Sequence, residues 1–335
     1  MTDLQNTTTS PLAYSECCTL ADCSHKTNNK EQKIKNVKRV EIGLIDVDGF
    51  HFPNLALMKI SAFYKKQGYN VEWCFNFKHY DKVFMSKVFT FTPDYYQSVL
   101  ADEIIKGGSG YDYETLLPKE IDDICPDYSL YSKYKEAYGF LTRGCTNKCA
   151  WCLVPKKEGN ISAYQDIEQF LDGRRTAILM DNNVLAHKHG LQQIEKIIRL
   201  GIKVDFNQGL DCRIIANNEH IAELLAKVKW LTPLRMACDT VSQMPYIEKA
   251  AYLLRKHNIK PKRLFAYVLV KEIPDALERL QLLRSLDIFP FAMAFRDFDK
   301  NGYRKQEIIK FCSNINHNCK SSNNKIDVSY LLPKY

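Results

Sequence analysis

The sequence predicts an α/β protein made of parallel strands: a small open α/β layer followed by a parallel barrel, complete or incomplete. Three observations carry that expectation. From residue 138 onward, six strand-like apolar runs alternate with five helical stretches, separated by short breaks. Residues 40–75 carry a βαβ pattern of their own. With 335 residues and 45% hydrophobic content, the chain can bury a main core and a smaller one.

Residues 1–36 are rich in Thr, Ser, Asn and Lys without periodicity and read as a disordered polar tail. Cys17, Cys18 and Cys23 lie in it and read as incidental thiols. Val40 to Val47 reads as a buried strand. Asn54 to Gln67 has helical periodicity through Leu55, Leu57, Met58, Ile60, Phe63 and Tyr64, and Gly68 closes it. Val71 to Phe75 makes the second strand. No G-x-G-x-x-G follows the first strand, which argues against a dinucleotide site. Residues 78–136 are Tyr- and Lys-rich and read as a connector, with Gly107-Gly108-Ser109-Gly110 as a flexible break. The first domain with its connector therefore spans 37–136, the barrel 137–300 and a C-terminal extension 301–335.

The barrel strands are expected at 138–142, 176–180, 203–206, 234–238, 263–270 and 289–295. The helices fall near 164–171, 184–200, 217–227, 242–257 and 274–286. In parallel α/β arrays ligands sit at the carboxyl ends of strands, so the polar residues there are candidates. They are Asp181 and Asn182 after the second strand, Asn207 and then Arg213 after the third, Asp239 after the fourth and Arg296 after the sixth. Each also has a plain structural role open to it, as helix cap, turn residue or ion-pair partner. Cys238 reads as core. Cys312 and Cys319, with His317 between them, read as a surface pair rather than a second metal site.

The first barrel strand runs into Gly144-Cys145-Thr146-Asn147-Lys148-Cys149-Ala150-Trp151-Cys152. Cys145, Cys149 and Cys152 are spaced C-x3-C-x2-C, so one loop can present three sulfurs to a compact soft-metal centre. Three thiolates on a 4Fe–4S cubane leave one iron open to a small molecule. The competing reading is structural zinc, which needs a fourth ligand. Cys125, His187 and Cys212 are the nearest candidates, and none forms a second pair.

With Trp151 before the last cysteine, this motif resembles the signature of the radical SAM superfamily. The text from Leu141 to Pro155 is similar to the branch holding the tRNA methylthiotransferases and the cobalamin-dependent enzymes. The resemblance implies an incomplete (β/α)6, TIM-like barrel preceded by a Rossmann-like domain. It implies a 4Fe–4S cluster on Cys145, Cys149 and Cys152, and S-adenosylmethionine on the open iron. Reductive cleavage to a 5′-deoxyadenosyl radical, fed by an external flavodoxin- or ferredoxin-type donor, then abstracts hydrogen from a substrate the sequence does not name. Trp151, Asp181, Asn182, Asn207, Arg213, Asp239 and Arg296 become the expected cofactor contacts. Methyl or methylthio transfer to RNA or peptide is the alternative activity, and a non-catalytic zinc-binding protein the alternative class.

The N-terminal layer is similar to the cobalamin-binding domain of some of these enzymes, yet the cobalt-ligating pattern D-x-H-x-x-G is not matched. His51 lies three residues after Asp48 and no glycine follows in place, so cobalamin is not expected. Phe50, Phe52 and Pro53 read instead as apolar bulk packing onto the barrel. Only Cys74 and Cys125 stand where a methylthiotransferase would carry three further cysteines.

A net charge of +8 permits an anionic partner such as tRNA, although a solvated surface explains it as well. No apolar run is long enough to cross a bilayer, and Met1 to Asn36 holds no hydrophobic signal segment. The expectation is a cytoplasmic protein with no membrane partner and with its twelve cysteines reduced.

Overall fold

A computed structural model describes residues 40–260, 263–297, 300 and 302–321, with side chains as far as residue 317. The expectations for residues 1–36, for Cys17, Cys18 and Cys23, and for the Cys319 side chain lie outside the described residues.

The βαβ unit is present. β1 (Glu41–Asp46) is buried along nearly its whole length, as its Ile-Gly-Leu-Ile sequence demands. α1 (Leu55–Lys66) starts at Asn54, whose side chain accepts the Leu57 N–H, and it turns Leu57, Met58 and Ile60 inward. β2 (Asn70–Trp73) runs parallel to β1.

The region expected to be a connector supplies two more strands. β3 (His79–Ser86) pairs parallel with β1, and β4 (Leu100–Gly107) pairs parallel with β3, giving the order β2-β1-β3-β4. β4 was hard to read because it is an edge strand, exposed and charged. Its Glu103 lies in register with Lys82 of β3 and pairs with it at 2.6 Å. The glycines after β4 are also not a flexible break. They wrap the backbone of Lys87, with Lys87 N–H on the Gly107 carbonyl and Gly110 N–H on the Lys87 carbonyl. Gly108 has φ +96° there, and a Cβ on it would meet the Lys87 backbone.

α2 (Lys119–Asp122) and a turn at Tyr128–Tyr131 lead into the second half. There follow β5 (Ala137–Gly139), β6 (Thr142–Arg143), α3 (Val154–Lys157), β7 (Ser162–Ala163) and α4 (Glu168–Leu171). Next come β8 (Thr176–Leu179), α5 (Lys188–Leu200), β9 (Lys203–Phe206), α6 (Cys212–Asn217), α7 (Glu219–Ala226) and β10 (Lys229–Trp230). The chain continues with β11 (Leu234–Ala237), α8 (Met244–Lys256), β12 (Leu264–Val270), α9 (Ile273–Ser285), β13 (Phe289–Ala294) and α10 (Gln306–Ser321).

All six expected strands are there, divided between two parallel sheets, β10-β9-β8-β5 and β11-β12-β13. The sheets meet where Leu210 N–H bonds the Arg235 carbonyl at 2.8 Å, and an ion pair between buried Asp205 and half-buried Arg235 ties β9 to β11 beside that junction. Among the described residues the strands do not close into a barrel, so the architecture is mixed α/β with parallel sheets. The helix expected over 164–171 shortens to the single turn of α4. Tyr164 is taken up elsewhere: its N–H bonds the Leu141 carbonyl and its hydroxyl meets Asp122.

One apolar core joins the strands and helices of this half to Met58, Tyr128 and Tyr131. Phe52 packs edge-on against Tyr138 of β5, while Phe50 packs on Trp73 and Tyr131. Lys59, 1% exposed, reaches from α1 to Asp122 and the Tyr164 hydroxyl. α10 lies on β13, where Asn316 bonds both the N–H and the carbonyl of Ala292 at 2.9 Å. Cys312 is buried at 5%, a core residue rather than a surface thiol, because α10 packs on β13. No helix among the described residues is long and apolar enough to cross a membrane.

Candidate functional site

The cysteine loop leaves the carboxyl end of β5 and is fixed before it begins. Asp181, just beyond β8, is 3% exposed. Its carboxylate accepts the N–H of Leu141 at 3.1 Å, the N–H of Thr142 at 2.6 Å and the Thr142 hydroxyl at 2.7 Å. Burial pushes this carboxyl up to about 6, against the pull of those donors. Asp181 thus faces the root of the loop.

Gly144 then turns the chain with φ +80°, and a Cβ on it would strike the Asn160 carbonyl. Its N–H bonds Glu158 at 2.9 Å. Glu158 also accepts from Asn182 at 2.8 Å and pairs with Arg143 at 3.1 Å. One carboxylate behind α3 therefore gathers both ends of the loop and the end of β8.

Cys145, Cys149 and Cys152 are free and half-buried. The Asn147 N–H points at the Cys145 sulfur at 3.3 Å and the Val154 N–H at the Cys152 sulfur at 3.5 Å. Asn183, 2% exposed, directs its amide nitrogen to the Cys145 sulfur at 3.6 Å, while its buried amide oxygen has no partner among the described residues. Burial pushes the Cys149 and Cys152 thiols up, and the neighbouring sulfurs add to this; Arg213 works the other way on Cys149. The sulfurs do not meet at one point. Among the described residues no three His, Cys, Asp or Glu side chains are grouped closely enough to hold a metal ion. In donor chemistry the loop still fits an iron–sulfur cluster: three free soft ligands, N–H groups aimed at two of the sulfurs, and an amide oriented toward Cys145.

The other strand ends gather around this loop. Asn147 bonds Asp211 at 2.9 Å, and Asp211 receives a two-point fork from Arg213 at 2.7 and 2.8 Å. Burial works to raise the Asp211 carboxyl, yet Arg213 and Asn147 outweigh it and hold it below its usual value. Asp239 accepts the Leu269 N–H at 3.1 Å, and burial raises its carboxyl despite Arg279, Arg213 and Lys271 nearby. Arg279, fully buried on α9, bonds the carbonyls of Cys238 and Leu269 and so fixes the strand ends on either side of Asp239.

Trp151 carries the Lys271 ammonium over its ring at 4.5 Å, and Phe295 carries it at 4.7 Å. Asn207 takes part through its backbone, its carbonyl accepting the Tyr267 hydroxyl at 3.0 Å. Arg296 lies over the Phe91 ring at 3.5 Å and bonds the Gly302 carbonyl at 3.1 Å. His51 is exposed, with its carbonyl bonded by the Tyr134 hydroxyl.

Sequence reasoning did not single out Asn147, Glu158, Asn183, Asp211 or Lys271. Asn183, Asp211 and Lys271 each follow a strand closely, so the rule that nominated Asp181 would have found them. Glu158 gave no such signal, because it reaches back to Gly144 from the far side of the loop. No family model matches the chain, and no curated protein matches it significantly.

Proposed function

We propose that the chain is a radical SAM enzyme whose cluster is held by Cys145, Cys149 and Cys152. The observation that carries the reading is the position of these three half-buried free thiols. They stand at the carboxyl end of β5, among the ends of β8, β9, β11 and β12, with N–H donors directed at the Cys145 and Cys152 sulfurs. In this reading β5, β8, β9, β11, β12 and β13 are the six strands of an incomplete (β/α)6 barrel. Their split into two sheets at Leu210 and Met236 is a seam in that array.

When bound, a 4Fe–4S cluster supplies reductive cleavage of S-adenosylmethionine for hydrogen abstraction, with electrons from an external donor. The chain's own residues do the rest. Asp181 fixes the root of the ligand loop, and Glu158, on its far side, closes it back onto Gly144. Asn147, Asn183 and Val154 offer N–H groups that stabilise thiolate over thiol. Asp239 presents a carboxylate suited to an ammonium group and Lys271 a cation suited to a carboxylate, while the Arg213 fork is taken up by Asp211. Trp151 and Phe295 hold the Lys271 ammonium over their rings beside the ligand loop.

The test is the visible spectrum of the full chain after anaerobic reconstitution with iron and sulfide. A broad brown absorption supports the proposal. A colourless protein that binds zinc stoichiometrically moves it to the zinc-binding class.

A further inference from the structure

Phe89 and Phe91 stack with ring centroids 5.1 Å apart and planes 23° off parallel, yet they remain 49% and 42% exposed. Paired rings left facing water forgo the burial that usually holds such side chains in place. Here the backbone holds them instead. Asp48 accepts the N–H groups of Val88 and Phe89 at 2.5 and 3.4 Å and the Thr92 hydroxyl at 2.7 Å. The Val88 carbonyl takes the Ser109 hydroxyl at 2.9 Å, and the glycines at 108 and 110 close around Lys87. The rings are therefore presented ready-made, and a ligand stacking on them has little ordering to pay for.

The Asp48 carboxylate is taken up by the three donors named above, which leaves Arg296 as a cation beside the rings. The Arg296 guanidinium lies 3.5 Å over Phe91. Arg296 follows β13 directly, and the preceding Phe295 shares Lys271 with Trp151 of the cysteine loop. The platform thus adjoins the candidate site by one residue of chain. A flat aromatic face next to a guanidinium matches a molecule with a planar ring system at one end and a phosphate at the other.

We propose that Phe89, Phe91 and Arg296 bind a nucleotide unit, its base against the exposed ring and its phosphate at the Arg296 guanidinium. This makes a nucleotide the substrate class of the proposed enzyme. It rests on that reading for the reaction, but the binding itself needs no cluster.

The experiment uses the full chain without reconstitution and follows fluorescence anisotropy of a short labelled single-stranded oligoribonucleotide, with an unlabelled mononucleotide as competitor. Base stacking on an aromatic side chain is worth about 1–3 kcal/mol, so Phe89→Ala is expected to weaken binding about 5- to 150-fold. Phe89→Trp is expected to keep it. Arg296→Gln is expected to lower the slope of log affinity on log salt by about one. Competition by the mononucleotide at similar affinity assigns the platform to free nucleotides, and binding of the strand alone assigns it to RNA. Wild-type affinity in Phe89→Ala, equal affinity for an abasic strand, or no binding of either probe overturns the proposal. Full displacement by S-adenosylmethionine also overturns it, since the stack would then serve the cofactor. Iron content of reconstituted Phe89→Ala, expected at the wild-type level, separates failure here from failure of the cluster assignment.

Discussion

Replacing Asp181 with Asn should change how stability depends on pH. The carboxyl is fully buried, and burial raises it from its ordinary 3.8 to about 6, while Leu141, Thr142 and the Thr142 hydroxyl donate to it. A carboxyl raised on folding binds more protons in the folded state than in the unfolded state between those two values. Stability should therefore rise as pH falls through 6 toward 4, and be lost again as pH rises. A shift of two units corresponds to about 3 kcal/mol in full, of which about 1.3 kcal/mol develops between pH 7 and pH 5. Asn has the same shape and keeps an acceptor for the three donors, but it does not titrate. Guanidinium unfolding of both proteins at pH 5, 6 and 7 measures the effect. Relative to Asp181→Asn, the wild type should gain about 1.3 kcal/mol on going from pH 7 to pH 5. Parallel pH profiles, or a wild type that gains relative stability as pH rises, would refute the reasoning.

Gly144→Ala should cost about 2 kcal/mol, because a Cβ at φ +80° meets the Asn160 carbonyl. Unfolding midpoints together with faster alkylation of Cys145 would report the displaced loop. Arg279→Met keeps the bulk but leaves the carbonyls of Cys238 and Leu269 without their donor, and should cost about 3 kcal/mol. A melting temperature within one degree of wild type would count against that role. Lys59→Met removes the contact that α1 makes with Asp122 and Tyr164 and should cost about 2 kcal/mol, since Asp122 is partly solvated. Limited proteolysis near residue 122 should speed up in step.

The strands β8, β12 and β13 were legible because each is a short, mostly apolar run between polar turns, while β9 and β11 showed through their place in the alternation of strands and helices despite Asp205 and Arg235. β4 was not, since its edge position favours Glu103 and Lys106 over a hydrophobic pattern. The glycines at 107–110 looked loose because sequence shows their freedom and not the Lys87 backbone they close around. At the site, the three cysteines and most strand-end polar residues could be named from spacing alone. Their partners could not. Nothing in the sequence says that Asp181 turns to Thr142, or that a buried Arg279 serves two strand-end carbonyls, because those choices are made by packing between elements far apart in the chain.

The central claim is that Cys145, Cys149 and Cys152 hold a 4Fe–4S cluster. Iron and acid-labile sulfide should be counted per chain after anaerobic reconstitution of the wild type, of Cys145→Ala, Cys149→Ala and Cys152→Ala, and of Cys125→Ser as a control. The account predicts about four of each in the wild type and in Cys125→Ser, and loss of the intact cluster in each of the other three. A full complement in any of those three, together with cleavage of S-adenosylmethionine, would contradict it.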